Sequence, residues 1–84
     1  MHINGTYLDV HGLTLSEAKT VINKSIQQCY ENGTAYLKVN HGFNNGNKIK
    51  NWCLNKPIEN PLVIKVGNGE NEGITILFIK LKLF

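Results

Sequence analysis

The stretch LDVHGLTLSEA, Leu8–Ala18, decides how this chain folds. Leu8 and Val10 alternate with Tyr7, Asp9 and His11, the period-two pattern of a strand with one buried face. Gly12 breaks the alternation, because a residue without a Cβ lets the backbone turn sharply. Thr14 to Glu17 then has the S/T-x-x-E spacing of a capping box, which satisfies orphan amides at a helix start. A strand over Tyr7–His11 therefore leads directly into a helix. Along that helix Leu15, Ala18, Val21, Ile22, Ile26 and Cys29 recur at helical spacing, and Asn32-Gly33 supplies the C-terminal cap.

Working outward, Ala35–Asn40 reads as a second strand ending at His41-Gly42. One long helix between two strands makes a βαβ unit, with parallel strands and a right-handed crossover. FNNGN, from Phe43, is rich in residues that accept turn geometry. Lys48–Leu54 reads as a short helix with Ile49, Trp52 and Cys53 on its apolar side, closed by Pro57. Pro61 introduces a third strand, Leu62–Val66, and an acidic turn over Gly67–Gly73 leads to a last strand, Ile74–Leu83. In that strand Thr75, Leu77, Ile79, Leu81 and Leu83 share one face, and Ile74, Ile76 and Phe78 share the other. The expected architecture is α/β: a two-layer βαβαββ sandwich with a mixed sheet of about four strands and both helices on one face. Residues 1–84 read as a single domain without repeats or linkers.

Composition agrees with this and narrows the function. Eighty-four residues, 42% of them hydrophobic, allow one modest core and exclude a disordered chain. The longest apolar run, Ile74–Ile79, is interrupted by Thr75 and is too short to span a bilayer. The start, MHINGTYLD, lacks the basic and apolar regions of a signal peptide. A soluble cytoplasmic protein without a membrane partner is the expectation. Cys29 and Cys53 fall on apolar helix sides and read as buried thiols. The net charge is +3 and every cation is a lysine. Lys38, Lys48, Lys50, Lys56 and Lys65 lie in a stretch whose only acid is Glu59. This basic middle suits a polyanion, RNA or DNA, contacted through backbone phosphates. Bidentate base recognition would need arginine.

Two of the three histidines stand directly before glycines, at the ends of the two parallel strands. In an open α/β sheet that edge is where ligands bind, and the helix starts beyond it suit phosphate. Asp9 projects from the same strand face as His11, about 7 Å away at the usual strand rise. Imidazole is the side chain suited to proton transfer near neutral pH, so Asp9, His11 and His41 are the candidate catalytic residues for phosphodiester cleavage. The structural alternative is an Asp capping a loop and a His satisfied by backbone groups. A divalent metal held by Asp9, His11 and His41 is the weaker reading of the same three residues. Strict alternation sets His41 with Leu37 and Val39, whereas His11 opposes Leu8 and Val10. Strand ends twist out of the pleat, however, so parity leaves the sides of the two rings open.

These residues together resemble the small MutS-related, or Smr, domain family. LDVHG is similar to the family's LDxHG motif, and TLSEA to the start of its first helix. VNHG, Val39–Gly42, is similar to the entry of its HGxGxG loop, and GIT, Gly73–Thr75, to the start of its last strand. The resemblance implies a fold like the C-terminal domain of translation initiation factor 3. It also implies nucleic-acid binding, with nicking of DNA or cleavage of RNA in some members, on the ribosome among other settings. By it, Asp9 and His11 take catalytic or substrate-contacting positions, and His41, Gly42 and Gly46 take positions in the nucleic-acid-binding loop; His41 is read as an auxiliary acid, base or phosphate ligand. Beside the resemblance, Gly12, Gly42, Asn44, Gly46, Lys48 and Lys50 are read as backbone-contacting groups of the nucleic-acid interface. Phe43 is read as a ring that stacks on an unpaired base or else packs back as a loop anchor. Two departures stand out: Asn44 replaces the loop's middle glycine, and Ile49-Lys50 stands where Leu-Arg is usual. The expected function is an Smr-type endonuclease. The alternatives are a non-catalytic binding module, or a weak homo-oligomer associating through the Ile74, Ile76 and Phe78 strip.

Overall fold

The computed structural model describes residues 5–42, 47–54 and 59–82. The elements run β1 (Gly5–Asp9), α1 (Leu15–Glu31), β2 (Tyr36–Asn40), α2 (Lys48–Leu54), β3 (Val63–Asn68) and β4 (Ile74–Ile79). They form one four-stranded sheet in the order β1-β2-β4-β3. β1 and β2 pair in parallel, and β4 pairs antiparallel with both β2 and β3. The expected mixed α/β architecture holds.

Helix α1 starts where its cap dictates. The Thr14 side chain accepts from the Glu17 amide at 3.1 Å, and the Glu17 carboxylate accepts from the Thr14 amide at 2.9 Å. At the far end the Asn32 amide donates to the Gln28 carbonyl, and Gly33 takes φ +70°. The helix buries Ala18, Ile22, Ile26 and Cys29. Val21, expected on that face, lies at its edge and is 36% exposed. Helix α2 buries Ile49 and Cys53, with Trp52 half-buried beside the Lys19 ammonium. Both helices cover the sheet face made by Leu37, Val39, Leu77, Ile79 and Val63. Cys29 and Cys53 are buried free thiols, and burial pushes the Cys53 thiol up to about 12.

Strand ends depart from the expectation more than helix ends do. β1 stops at Asp9, two residues early, and β3 continues to Asn68. β4 stops at Ile79, beyond which Leu81 is 69% exposed. The ladder sets these limits, since β4 loses its last partners at Tyr36↔Phe78 and Val63↔Ile79. Leu83 and Pro57 lie outside the described residues.

The outer face, away from the helices, is read from the register. Its rows are Gly5–Tyr36–Phe78–Lys65, then Tyr7–Lys38–Ile76–Gly67, then Asp9–Asn40–Ile74. The third row lies at the edge where both parallel strands end.

Candidate functional site

Asp9 and Asn40 are register partners, and each ends its strand in the same way. The Asp9 carboxylate accepts from the His11 amide at 3.1 Å, and the Asn40 side-chain carbonyl accepts from the Gly42 amide at 3.0 Å. A short polar side chain that captures the amide two residues on makes an Asx turn. Two such turns side by side bring the chain out of the sheet. Gly12 and Gly42 then take φ +84° and +75°, conformations disfavoured for residues with a Cβ.

The shared register explains the two His-Gly pairs. Level with each other past the strand ends are Val10 and His41, then His11 and Gly42. Because LDVHG has one more residue before its histidine than VNHG has, the two rings go to opposite sides. Val10 and His41 turn inward and are 0% and 5% exposed. His11 turns outward and lies over Gly42, where an added Cβ would stand 3.1 Å from the His11 Cβ.

His11 and Asp9 form a direct side-chain pair, the imidazole Nδ1 on the carboxylate Oδ1. The chain turns at Asp9, which closes the gap expected from an extended strand. Hydrogen bonds from the His11 ring and then its amide hold the Asp9 carboxyl below the usual range. The carboxylate stays charged and fixes Nδ1 as the donor nitrogen. Nε2 has no partner among the described residues, and the two side chains are 63% and 43% exposed. The pair is an oriented imidazole with an accessible second nitrogen.

His41 is different in kind. Its Nε2 lies 2.8 Å from the Thr75 hydroxyl and its Nδ1 3.2 Å from the Gly42 carbonyl. Burial, opposed by the Gly42 bond and aided by the nearby Lys50 charge, pushes its pKa below the imidazole value. A neutral ring satisfies both contacts, donating from Nδ1 and accepting the Thr75 proton. The backbone around it is anchored too, with the His41 and Gly42 amides on the Gly73 carbonyl at 2.9 and 3.2 Å.

Next to this anchor a cleft of about 300 Å³ is lined by Gly12, Thr14, His41, Lys48 and Ile49, among others. It lies where both helices begin. Lys48 is exposed and Lys50 half-buried. Phe43, Asn44 and Gly46 lie outside the described residues. Asp9 and His11 come together with Gly42. His41 stands behind them, and among the described residues no three His, Cys, Asp or Glu side chains gather as metal ligands.

Sequence reasoning missed Asn40, Gly73 and Thr75. Asn40 carried a signal, since Asn two residues before Gly at a strand end is an Asx turn in waiting. Gly73 and Thr75 carried none, because they reach His41 only across the β2–β4 pairing. Glu70, expected as a solvated turn acid, accepts from Lys38 at 2.9 Å.

The comparisons agree on one kind of domain. A family model described as the Smr domain matches residues 8–81. Among solved structures, the Smr domain of Thermus thermophilus MutS2 is similar, with a TM-score of 0.80 and 16% sequence identity. That match covers 89% of this chain and 98% of the other, and at this identity it concerns the fold alone. No curated protein matches the chain. No helix among the described residues is long and apolar enough to cross a membrane.

Proposed function

Because the chain belongs to the Smr domain family, we propose that it binds nucleic acid at the edge where β1 and β2 end and cuts phosphodiester bonds there, RNA ahead of DNA. The observation that carries this reading is the Asp9–His11 pair, exposed on the rim with Nδ1 held and Nε2 open. In RNA, Nε2 takes the proton of the 2′-hydroxyl as its oxygen attacks the adjacent phosphorus. The bond from phosphorus to the 5′-oxygen breaks, and that oxygen takes a proton from solvent at the open rim. Asp9 keeps the imidazole in the required tautomer and stabilises the imidazolium that forms.

His41 has a supporting role in this scheme, not that of a second acid. A buried neutral ring with both nitrogens engaged holds Gly42, on which His11 rests. Gly12 and Gly42 let the backbone approach a phosphate, Lys48 supplies charge in the cleft, and Lys50 supplies charge near His41. Gly46 joins the interface by family resemblance, with its sequence neighbours Asn44 and Phe43, the latter as a ring able to stack on an unpaired base. The ribosome as a platform for the substrate rests on the same resemblance, and the cytoplasm on the signal-free start of the sequence.

The second reading is a binding module without cleavage. Asn44 in place of the loop glycine and the absence of arginine favour it. Cleavage of RNA and DNA substrates by the wild type, Asp9→Asn and His11→Ala separates the two. Loss of a general base is expected to slow cleavage by about a hundredfold to ten-thousandfold, with binding nearly unchanged. Wild-type rates in both variants would make the pair structural.

A further inference from the structure

The outer sheet face beside the Asp9–His11 pair carries an arrangement that cleavage chemistry alone leaves unexplained. Tyr7 lies two residues before Asp9 on the same strand face and is 56% exposed. Its hydroxyl accepts from Asn40 Nδ2 at 2.7 Å. Asn40 is the register partner of Asp9, so the Tyr7 ring leans along the strand toward the pair. The same Asn40 accepts from the Gly42 amide, and Gly42 supports His11. One side chain thus fixes both an exposed aromatic ring and the backbone beneath the imidazole.

Beside Tyr7, in the same row on β2, stands Lys38, with Ile76 beyond it. In the outermost row Tyr36 covers Gly5, and Phe78 has the Lys65 ammonium 5.6 Å from its ring centre. Aromatic rings with lysines beside them match an unpaired strand of nucleic acid, whose bases stack and whose phosphates are anionic. A duplex keeps its bases stacked on one another and has nothing to offer Tyr7. Lys38 is held by Glu70, but an exposed ion pair is weak and salt-screened, so a phosphate can replace that carboxylate.

Resting on the cleavage reading above, we propose that this face is the track of a single-stranded substrate. Tyr7 stacks the base beside the scissile phosphodiester, and Lys38, its neighbour in the same row, exchanges Glu70 for phosphate and holds the strand there. Asn40 is a positioning residue: it orients Tyr7 and the Gly42 backbone without touching the reacting atoms.

The test uses short single-stranded and duplex oligomers, the single strands carrying one 2-aminopurine, in a His11→Ala background so that nothing is cut. Preferential single-strand binding with quenched 2-aminopurine fluorescence is expected. Tyr7→Leu should lose roughly fivefold to a hundred-and-fiftyfold in affinity, the range for one base–aromatic stack, together with the quench. Tyr7→Phe, which keeps the ring and loses only the Asn40 bond, should retain most of both. Glu70→Gln should tighten binding severalfold at low salt.

Tyr7→Leu that remains folded and binds and quenches like its parent overturns the proposal. So does equal affinity for duplex, a dimer in sedimentation that covers this face, or no binding to any oligomer. Failure of the cleavage reading alone looks different. The single strand then binds with Tyr7-dependent quenching while the wild type cuts nothing, which supports the track as a binding surface.

Discussion

Gly12 and Gly42 are alike in backbone and different in surroundings. Both hold positive φ, so alanine at either is strained by about 1–2 kcal/mol. At Gly12 an added Cβ meets nothing within 4 Å, whereas at Gly42 it presses on the His11 Cβ. Gly12→Ala should therefore lower the urea midpoint and weaken substrate binding, where the added Cβ meets the phosphate. It should leave the rate at saturating substrate nearly intact, because His11 is not displaced. Gly42→Ala should lower the midpoint at least as much and also slow cleavage, because His11 must move. Equal cleavage by the two variants would show that Gly42 does not set the position of His11. The turns themselves were legible as HG after a strand. That one glycine carries the other motif's histidine was not, since the contact joins residues about thirty positions apart.

At the scale of elements, the helices were readable to the residue and the strands were not. Thr14, Glu17 and Gly33 cap α1 through contacts with near neighbours in the chain. A strand ends where its partner does, which local sequence does not encode. The His41–Thr75 bond is such a cross-strand feature, tying the end of β2 to β4. It also carries a pH dependence. With the His41 pKa depressed in the folded state, the unfolded chain binds the proton first as pH falls. The contribution of the neutral ring is full above the ordinary imidazole value of 6.5 and is lost as pH falls from there through the folded value. The urea midpoint of the wild type should fall more between roughly pH 7.5 and 5 than that of His41→Gln, which has no such ionisation. Equal falls would mean that His41 does not titrate differently on folding.

At the scale of the whole molecule, a net charge of +3 with no arginine means that the proposed nucleic-acid binding would run through phosphates. Lys48 and Lys50 stand at the start of α2, beside the cleft and His41. Replacing both by alanine should weaken nucleic-acid binding and flatten its dependence on salt by roughly one to two units of log–log slope. An unchanged slope would remove α2 from the interface. The sequence by itself determined the class of fold, both helices and the buried thiols. Alternation and capping act over a few residues, so the chain encodes them locally. Tertiary structure decided the rest. The pairing of Asp9 with Asn40 sets His11 on Gly42, the β2–β4 pairing brings Thr75 to His41, and the three rows of the outer face align Tyr7 with the pair. Register is fixed by burying one face of the whole sheet at once, and a one-residue offset between two motifs then sends one histidine to solvent and the other into the core.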